Sequence, residues 1–271
     1  MIPERANMHR AVAKRQRTEG YGMEVMAIRP LADSAVTFDL DDRPGARAAT
    51  RVHAAVAVIR AAISEGALDQ TVEPVAAFAS VTVHYDPLVS AQSDIVDTVL
   101  GALKDAEATE MTSARLWRLP CCYDGLHGAD LANLSERLGL TVKKIIKSHL
   151  DCVFDVFAIG FLPGLPFMGE LPEALSLPRR SSPRQRVPAG SVAIAKGLCV
   201  IYPGASPGGW HIVGQCPVPL FDVRREVPAL LAAGDRVAFQ RVTEERHAQI
   251  QRGFARGDMN PCEFLEKRDQ A

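Results

Sequence analysis

Residues 160–220 set the strongest limit on what this chain can fold into. These 61 positions, under a quarter of the 271, hold 9 of the 20 Gly and 10 of the 18 Pro. Proline fixes φ and lacks an amide hydrogen, and glycine loosens the backbone, so a stretch dense in both is cut into short pieces joined by turns. Strand-like runs lie in and around it: Val153–Ile159, Ser191–Ala195, Leu198–Tyr202, His211–Gly214 and Asp235–Gln240. Turn residues separate them, which is the pattern of a β-barrel. The stretch also carries Arg179, Arg180, Arg184, Arg186 and Lys196 against Glu170 and Glu173, a local charge of +3 in a chain whose total is −1. Rigid, basic loops on a barrel are a good mount for a site, because they place groups at low entropic cost.

The rest of the composition narrows the class. Hydrophobic residues at 47% exclude a disordered or collagen-like chain, and the length allows a sizeable core in one large or two small domains. No run approaches the ~20 apolar residues that cross a bilayer, so no membrane association is expected. Residues 1–22 carry Arg5, Arg10, Lys14, Arg15 and Arg17 against Glu4 and Glu19, without the apolar run of a secretory signal. They read as a disordered basic extension in preference to a transit-like or nucleic-acid-binding arm. Cys121, Cys122, Cys152, Cys199, Cys216 and Cys262 make no C-x-x-C pair and no zinc-like cluster with His. Adjacent Cys121 and Cys122 cannot form an ordinary disulfide with each other. The expectation is reduced, mostly buried cysteines in a cytoplasmic protein, and no metal.

Residues 24–120 read as an α/β domain. Val25–Arg29 and Val36–Leu40 are strand-like; Val52, Ala55, Val56, Ile59, Ala62 and Ile63 follow helical spacing up to Gly66. Val81, Val83 and Tyr85 alternate as a strand, Ile95, Val96, Val99, Leu100 and Leu103 form a second helical stripe, and Ala114–Leu119 looks like a closing strand. The order β-β-α-(β)-β-α-β is close to a small ferredoxin-like sandwich. Residues 24–111 hold nine Asp and five Glu against five Arg and one Lys, a balance that argues against nucleic acid here. In residues 121–151, Leu131, Leu134 and Leu138 share a helical face, Gly139 ends it, and Thr141 starts a second helix with Val142, Ile145 and Ile146. Lys143, Lys144 and Lys147 could suit a DNA backbone, but this helix has no Arg, Asn or Gln to read bases. A helical hairpin packed on the barrel is the preferred reading. Residues 243–256 read as a polar helix, and the last dozen residues as a loose tail.

Gly204-Ala205-Ser206-Pro207-Gly208 fits the G-x-S-x-G spacing of a hydrolase nucleophile elbow. The elbow uses the N–H after the serine, and Pro207 has none. Ser206, Gly208 and Gly209 instead suggest a tight loop that lets backbone approach a ligand. No Walker-type or dinucleotide-binding glycine loop is present. Between Pro178 and Pro188, Arg179, Arg180, Arg184 and Arg186 place four guanidinium forks within eight residues. Pro-braced Arg suits a carboxylate or phosphate ligand, with about two of the four expected to reach it and the rest to make structural pairs. His149 ends the second hairpin helix just before the barrel and is a candidate catalytic or binding residue at its mouth.

These motifs together resemble the allophanate hydrolase subunit 1 family, which includes a 5-oxoprolinase subunit and the Kip-type histidine kinase inhibitor. The resemblance rests on Gly160-Phe161-Leu162-Pro163-Gly164-Leu165-Pro166-Phe167-Met168-Gly169, Pro178-Arg179-Arg180, Pro183-Arg184, Val187-Pro188-Ala189-Gly190-Ser191-Val192 and Ser206-Pro207-Gly208-Gly209-Trp210. It extends to Val83-His84-Tyr85-Asp86-Pro87, Gly128-Ala129-Asp130-Leu131 and His149, and covers about residues 24–240.

The resemblance implies an α+β protein, a ferredoxin-like small α/β N-terminal domain followed by a cyclophilin-like β-barrel. Residues 1–22 would be the extension, 23–120 the small domain, 121–242 the barrel with its leading helical hairpin, and 243–271 a polar helix and tail. It implies a subunit of an ATP-dependent amidohydrolase, most simply a 5-oxoprolinase that converts 5-oxoproline to glutamate with ATP, inactive alone. Its partners would be a related-fold subunit of biotin-dependent carboxyltransferase type, called subunit 2 or C, and a third lactam-utilisation subunit. Alternatives within the resemblance are a sensor histidine kinase inhibitor and a biotin-dependent carboxyltransferase half of urea amidolyase type. The implied catalytic residues are His149, Arg184 and Arg186. Substrate or anion contacts would come from Arg179, Arg180, Phe161, Pro163, Gly164, Ser191, Tyr202, Ser206, Gly208, Gly209 and Trp210. The sequence departs from the family pattern in three places. Leu198-Cys199 replaces a Gln-Thr pair, Gln215 replaces an Arg after Gly214, and Ala32 replaces a Gly before Asp33. These changes point toward a divergent small amide substrate.

Overall fold

The computed structural model describes residues 23–106 and 114–266. They divide into two compact units that part near residue 110. The expectations for residues 1–22 and for the final five residues lie outside the described residues.

In the first unit, β1 (Ala27–Leu31) and β2 (Ala35–Asp39) form a hairpin, followed by the greater part of α1 (Ala46–Ser64). β3 (Glu73–Ala77) and β4 (Ser80–His84) form a second hairpin, and α2 (Gln92–Asp105) follows. The sheet order is β1-β2-β4-β3, with every pair antiparallel. Strand alternation turns Val36, Phe38, Val81 and Val83 toward one face, where they pack with Val52, Ala55 and Ile59 of α1 and Ile95, Val99 and Leu103 of α2. The element order is β-β-α-β-β-α, not the ferredoxin-like order. The strand expected to close this sheet, within Ala114–Leu119, pairs in the second unit instead.

Ala32, in the turn between β1 and β2, has φ 55. A Cβ is disfavoured in this left-handed region by about 1–2 kcal/mol, whereas glycine adopts it freely. The greater freedom of glycine in the unfolded chain offsets part of the gain. Ala32→Gly is therefore expected to stabilise the protein by about 0.5–1 kcal/mol, read as a higher urea midpoint. A lower midpoint would show that the turn does not hold this conformation.

The second unit begins with β5 (Leu116–Cys121), then the hairpin of α3 (Leu131–Leu138) and α4 (Val142–Leu150). Strands β6 (Val153–Ile159), β7 (Pro166–Gly169), β8 (Arg184–Val187), β9 (Ser191–Ala195) and β10 (Leu198–Ile201) follow. β11 (Ser206–Gly208), β12 (His211–Gln215), β13 (Arg236–Arg241) and α5 (Glu244–Arg256) complete it. Seven strands make one sheet in the order β12-β9-β10-β7-β6-β13-β5, and β8 and β11 form a separate ladder. Next to the end of β5, Cys122 and Gln215 exchange backbone hydrogen bonds of 2.9 and 2.8 Å, bringing the first and last strands together into a nearly closed barrel. Gly214 makes this approach possible. A Cβ there would lie 2.5 Å from Cys121 Sγ and 2.9 Å from the Cys122 carbonyl oxygen.

The sheet's side chains divide between two clusters by strand period. Cys199 and Ile201 of β10 join Trp117, Leu119, Phe154, Val192, Ile194 and Phe239 in the larger core, which the hairpin's Leu134 and Ile145 also enter. Val200 turns the other way, to Leu165, Val187, Ala193, Tyr202 and Trp210. Gly139, with φ 64, ends α3, and the Thr141 hydroxyl accepts the Lys144 N–H at the start of α4, both as the sequence pattern indicated. Part of the expected loose tail is placed against β5, where Leu265 bridges Trp117.

Candidate functional site

The arginine run and the serine-glycine loop lie side by side. In the β8–β11 ladder, Val187 pairs with Ser206 and Arg184 with Gly208. The Arg180 N–H donates to the Gly209 carbonyl at 2.7 Å, and His211 Nε2 lies 3.0 Å from the Pro178 carbonyl oxygen. A Cβ on Gly208 would sit 2.5 Å from the Tyr202 hydroxyl, so the absence of a side chain lets this loop lie against Tyr202. Burial raises the Tyr202 hydroxyl above its ordinary value against the pull of Arg179 and Arg184, and it stays protonated. The Arg179 guanidinium lies 5.5 Å from the centre of the Trp210 ring, in cation–π range.

The organising residue is Asp130, which sequence reasoning did not select. It stands just before α3, where an aspartate would ordinarily cap the helix, yet its side chain makes no cap bond. Its Oδ1 accepts from Arg180 Nη1 at 3.0 Å and from Arg184 Nη2 at 2.7 Å, while Oδ2 accepts the Ile212 N–H at 2.7 Å. Burial pushes this carboxyl up. The Arg184 hydrogen bond, the Ile212 N–H and the two guanidinium charges outweigh it and hold the carboxyl below its ordinary value. One signal was available: Asp130 lies in the Gly128-Ala129-Asp130-Leu131 run that the resemblance includes.

Arg184 Nη1 is buried without a hydrogen-bond partner. Arg184 and Arg186 lie two residues apart in β8, where the ladder with β11 is bulged, and both line a cavity of about 220 Å³. Ser191, His127 and Gln215 line it as well. Gln215 is held in place: its Oε1 meets His127 Nδ1 and its Nε2 donates to the Ala189 carbonyl at 2.7 Å. A larger open cleft of about 540 Å³ includes Asp124 and Arg241 in its lining, and these two are already paired with each other at 2.6 Å.

The remaining expected site residues lie elsewhere. Phe161 is exposed with φ 67, and Gly164 packs where a Cβ would lie 3.0 Å from Phe221 Cβ. Neither these two nor Pro163 is among the residues lining the cavity with Arg184. Ser206 Oγ donates to the Pro207 carbonyl at 3.2 Å and no helix follows, in keeping with a loop and not a nucleophile elbow. His149 does not sit at the barrel mouth. It is fully buried, with Nδ1 2.8 Å from the Tyr123 hydroxyl, Nε2 3.5 Å from Cys199 Sγ, and its ring against Phe154 and Phe239. Burial lowers its pKa to about 3, so the ring is neutral. Cys199, where the family pattern has Thr, faces this same core. Among the described residues no group of three or more His, Cys, Asp and Glu could hold a metal ion. No described helix is long and apolar enough to cross a membrane.

A barrel-like sheet carrying this Asp–Arg cluster is matched by a family model over residues 26–231, and the chain belongs to that family, the carboxyltransferase domain, subdomain C and D. Among its curated relatives is a 5-oxoprolinase subunit of Bacillus subtilis strain 168, 33% identical over 232 residues, which are 80% of this chain and 93% of that protein. The solved structure of TTHA0988 is 32% identical with a TM-score of 0.66, covering 79% of this chain and 40% of that one. This chain therefore spans well under half of that molecule. The K. lactis urea amidolyase, 15% identical with a TM-score of 0.70, shares the fold over 94% of this chain and 17% of its own.

Proposed function

We propose that this chain is one subunit of an ATP-dependent amidohydrolase of 5-oxoprolinase type, which opens a small cyclic amide to an amino acid. The observation that carries the reading is the buried Asp130 gripping Arg180 and Arg184 beside a small cavity, in a chain 33% identical to a protein named as a subunit of 5-oxoprolinase. A lactam is stable in neutral water. Phosphorylating its oxygen creates a leaving group, and the fixed guanidinium groups hold the anionic substrate in position for that step. The cavity, at about 220 Å³, lies below the usual range of about 300–1,000 Å³ for larger ligands. Its size suits a small acid better than a nucleotide, and in this reading ATP is bound elsewhere in the complex. The partners are the related-fold subunit 2 or C and a third lactam-utilisation subunit.

The test is to co-express the three subunits, purify the complex and measure glutamate released from 5-oxoproline. Release is expected only with ATP present and only when all three subunits are included. A well-formed complex that releases no glutamate from 5-oxoproline would sink the reading.

A further inference from the structure

We propose that the cavity beside β8 is the subsite for the substrate's carboxylate, making its ligand a small monocarboxylic acid and leaving phosphoryl chemistry to another surface. This rests on the reading of the chain as an amidohydrolase subunit and assigns the substrate-binding part of it. Three observations support it. Arg184 is a cavity-lining guanidinium with one terminal nitrogen on Asp130 and the other, Nη1, buried and unpartnered. A buried donor without an acceptor is costly, and a ligand oxygen would supply the acceptor. Arg186 lines the same cavity, is exposed, and makes no ion pair among the described residues. The third observation is the nature of the remaining wall. Ser191 can add one hydroxyl donor. Both ends of the Gln215 amide make hydrogen bonds, to His127 and to the Ala189 carbonyl, which fixes this side chain in place.

Donor geometry favours the carboxylate over phosphate. Asp130 shares its single charge between Arg180 and Arg184. The Ile212 N–H, a backbone donor next to the cavity, is engaged by Asp130 and is not free for a third phosphate oxygen. A planar carboxylate needs two donor directions, which Arg184 and Arg186 supply.

The experiment is calorimetric titration of the full chain with 5-oxoproline, with 2-pyrrolidinone, which keeps the lactam and lacks the carboxylate, and with inorganic phosphate as competitor. The acid is expected to bind at least about tenfold more tightly than pyrrolidinone, and phosphate at equal concentration should not displace it. Arg186→Gln, at an exposed position, should weaken the acid by about tenfold and leave pyrrolidinone unchanged. Equal binding of acid and pyrrolidinone, displacement by phosphate, an unaffected Arg186→Gln variant, or no binding of the acid by the full chain each overturns the subsite. In the three-subunit complex, Arg186→Gln should raise KM with kcat retained. Carboxylate binding without ATP-dependent ring opening would remove the amidohydrolase reading and spare the subsite; ring opening with an unchanged KM in the variant would do the reverse.

Discussion

Asp130→Ala should lower the stability of the full chain by about 3 kcal/mol, the lower end of what removing one partner from a buried ion pair costs. The lower end applies because the Arg180 and Arg184 side chains are 30% and 24% exposed, so water relieves part of the loss. The penalty arises from what remains. The Ile212 N–H loses its acceptor, and Arg184, already carrying an unpartnered Nη1, loses its Nη2 hydrogen bond as well. Asp130→Asn keeps an oxygen for one of these donors and should cost about 1–2 kcal/mol. Urea unfolding of the two variants orders them; equal midpoints for Asp130→Ala and the parent would remove the clamp from the account. The carboxyl is held below its ordinary value, so its contribution is present above the unfolded value near 3.9 and disappears as pH falls through the folded one.

Lowering the pH from 7 to 5 should remove about 2 kcal/mol of stability through His149 alone. The sign follows from proton binding. His149 has its pKa lowered from 6.5 to about 3, so below pH 6.5 the unfolded chain gains a proton that the folded protein refuses. Stability therefore falls with falling pH, at up to about 1.4 kcal/mol per unit, until the folded value is reached. His247 acts in the same direction, lowered to about 4 by burial and by the charge of neighbouring His127. His149→Gln removes the first of these groups and should flatten the pH dependence between 7 and 5. Urea midpoints at a series of pH values read the slope, and an identical slope for parent and variant would place His149 outside the linkage.

Much of the fold was legible because alternation and capping are local. Val36 and Phe38 announced a strand with one apolar face, and Gly139 and Thr141 marked the two ends that meet in the helical hairpin. The partner of a strand is not local. Leu116–Cys121 reads as a strand anywhere, and it pairs in parallel with β13, more than a hundred residues later, because its buried Trp117, Leu119 and Cys121 complete the barrel core. Site residues divide the same way. The motifs identified which arginines are present, but not that Asp130 would hold two of them or that Phe161 and Gly164 would lie apart from the cavity. His149 misleads because a His at a helix end near a loop looks accessible in sequence, whereas α4 turns that position into the barrel core.

The barrel's seam is bridged by the backbone exchange between Cys122 and Gln215, and the Gln215 side chain forms part of the cavity wall. The seam and the cavity wall thus share a residue. Any molecule that binds only the closed form shifts the equilibrium toward it. An occupant that bound there only when Cys122 and Gln215 are joined would add its binding energy to that seam.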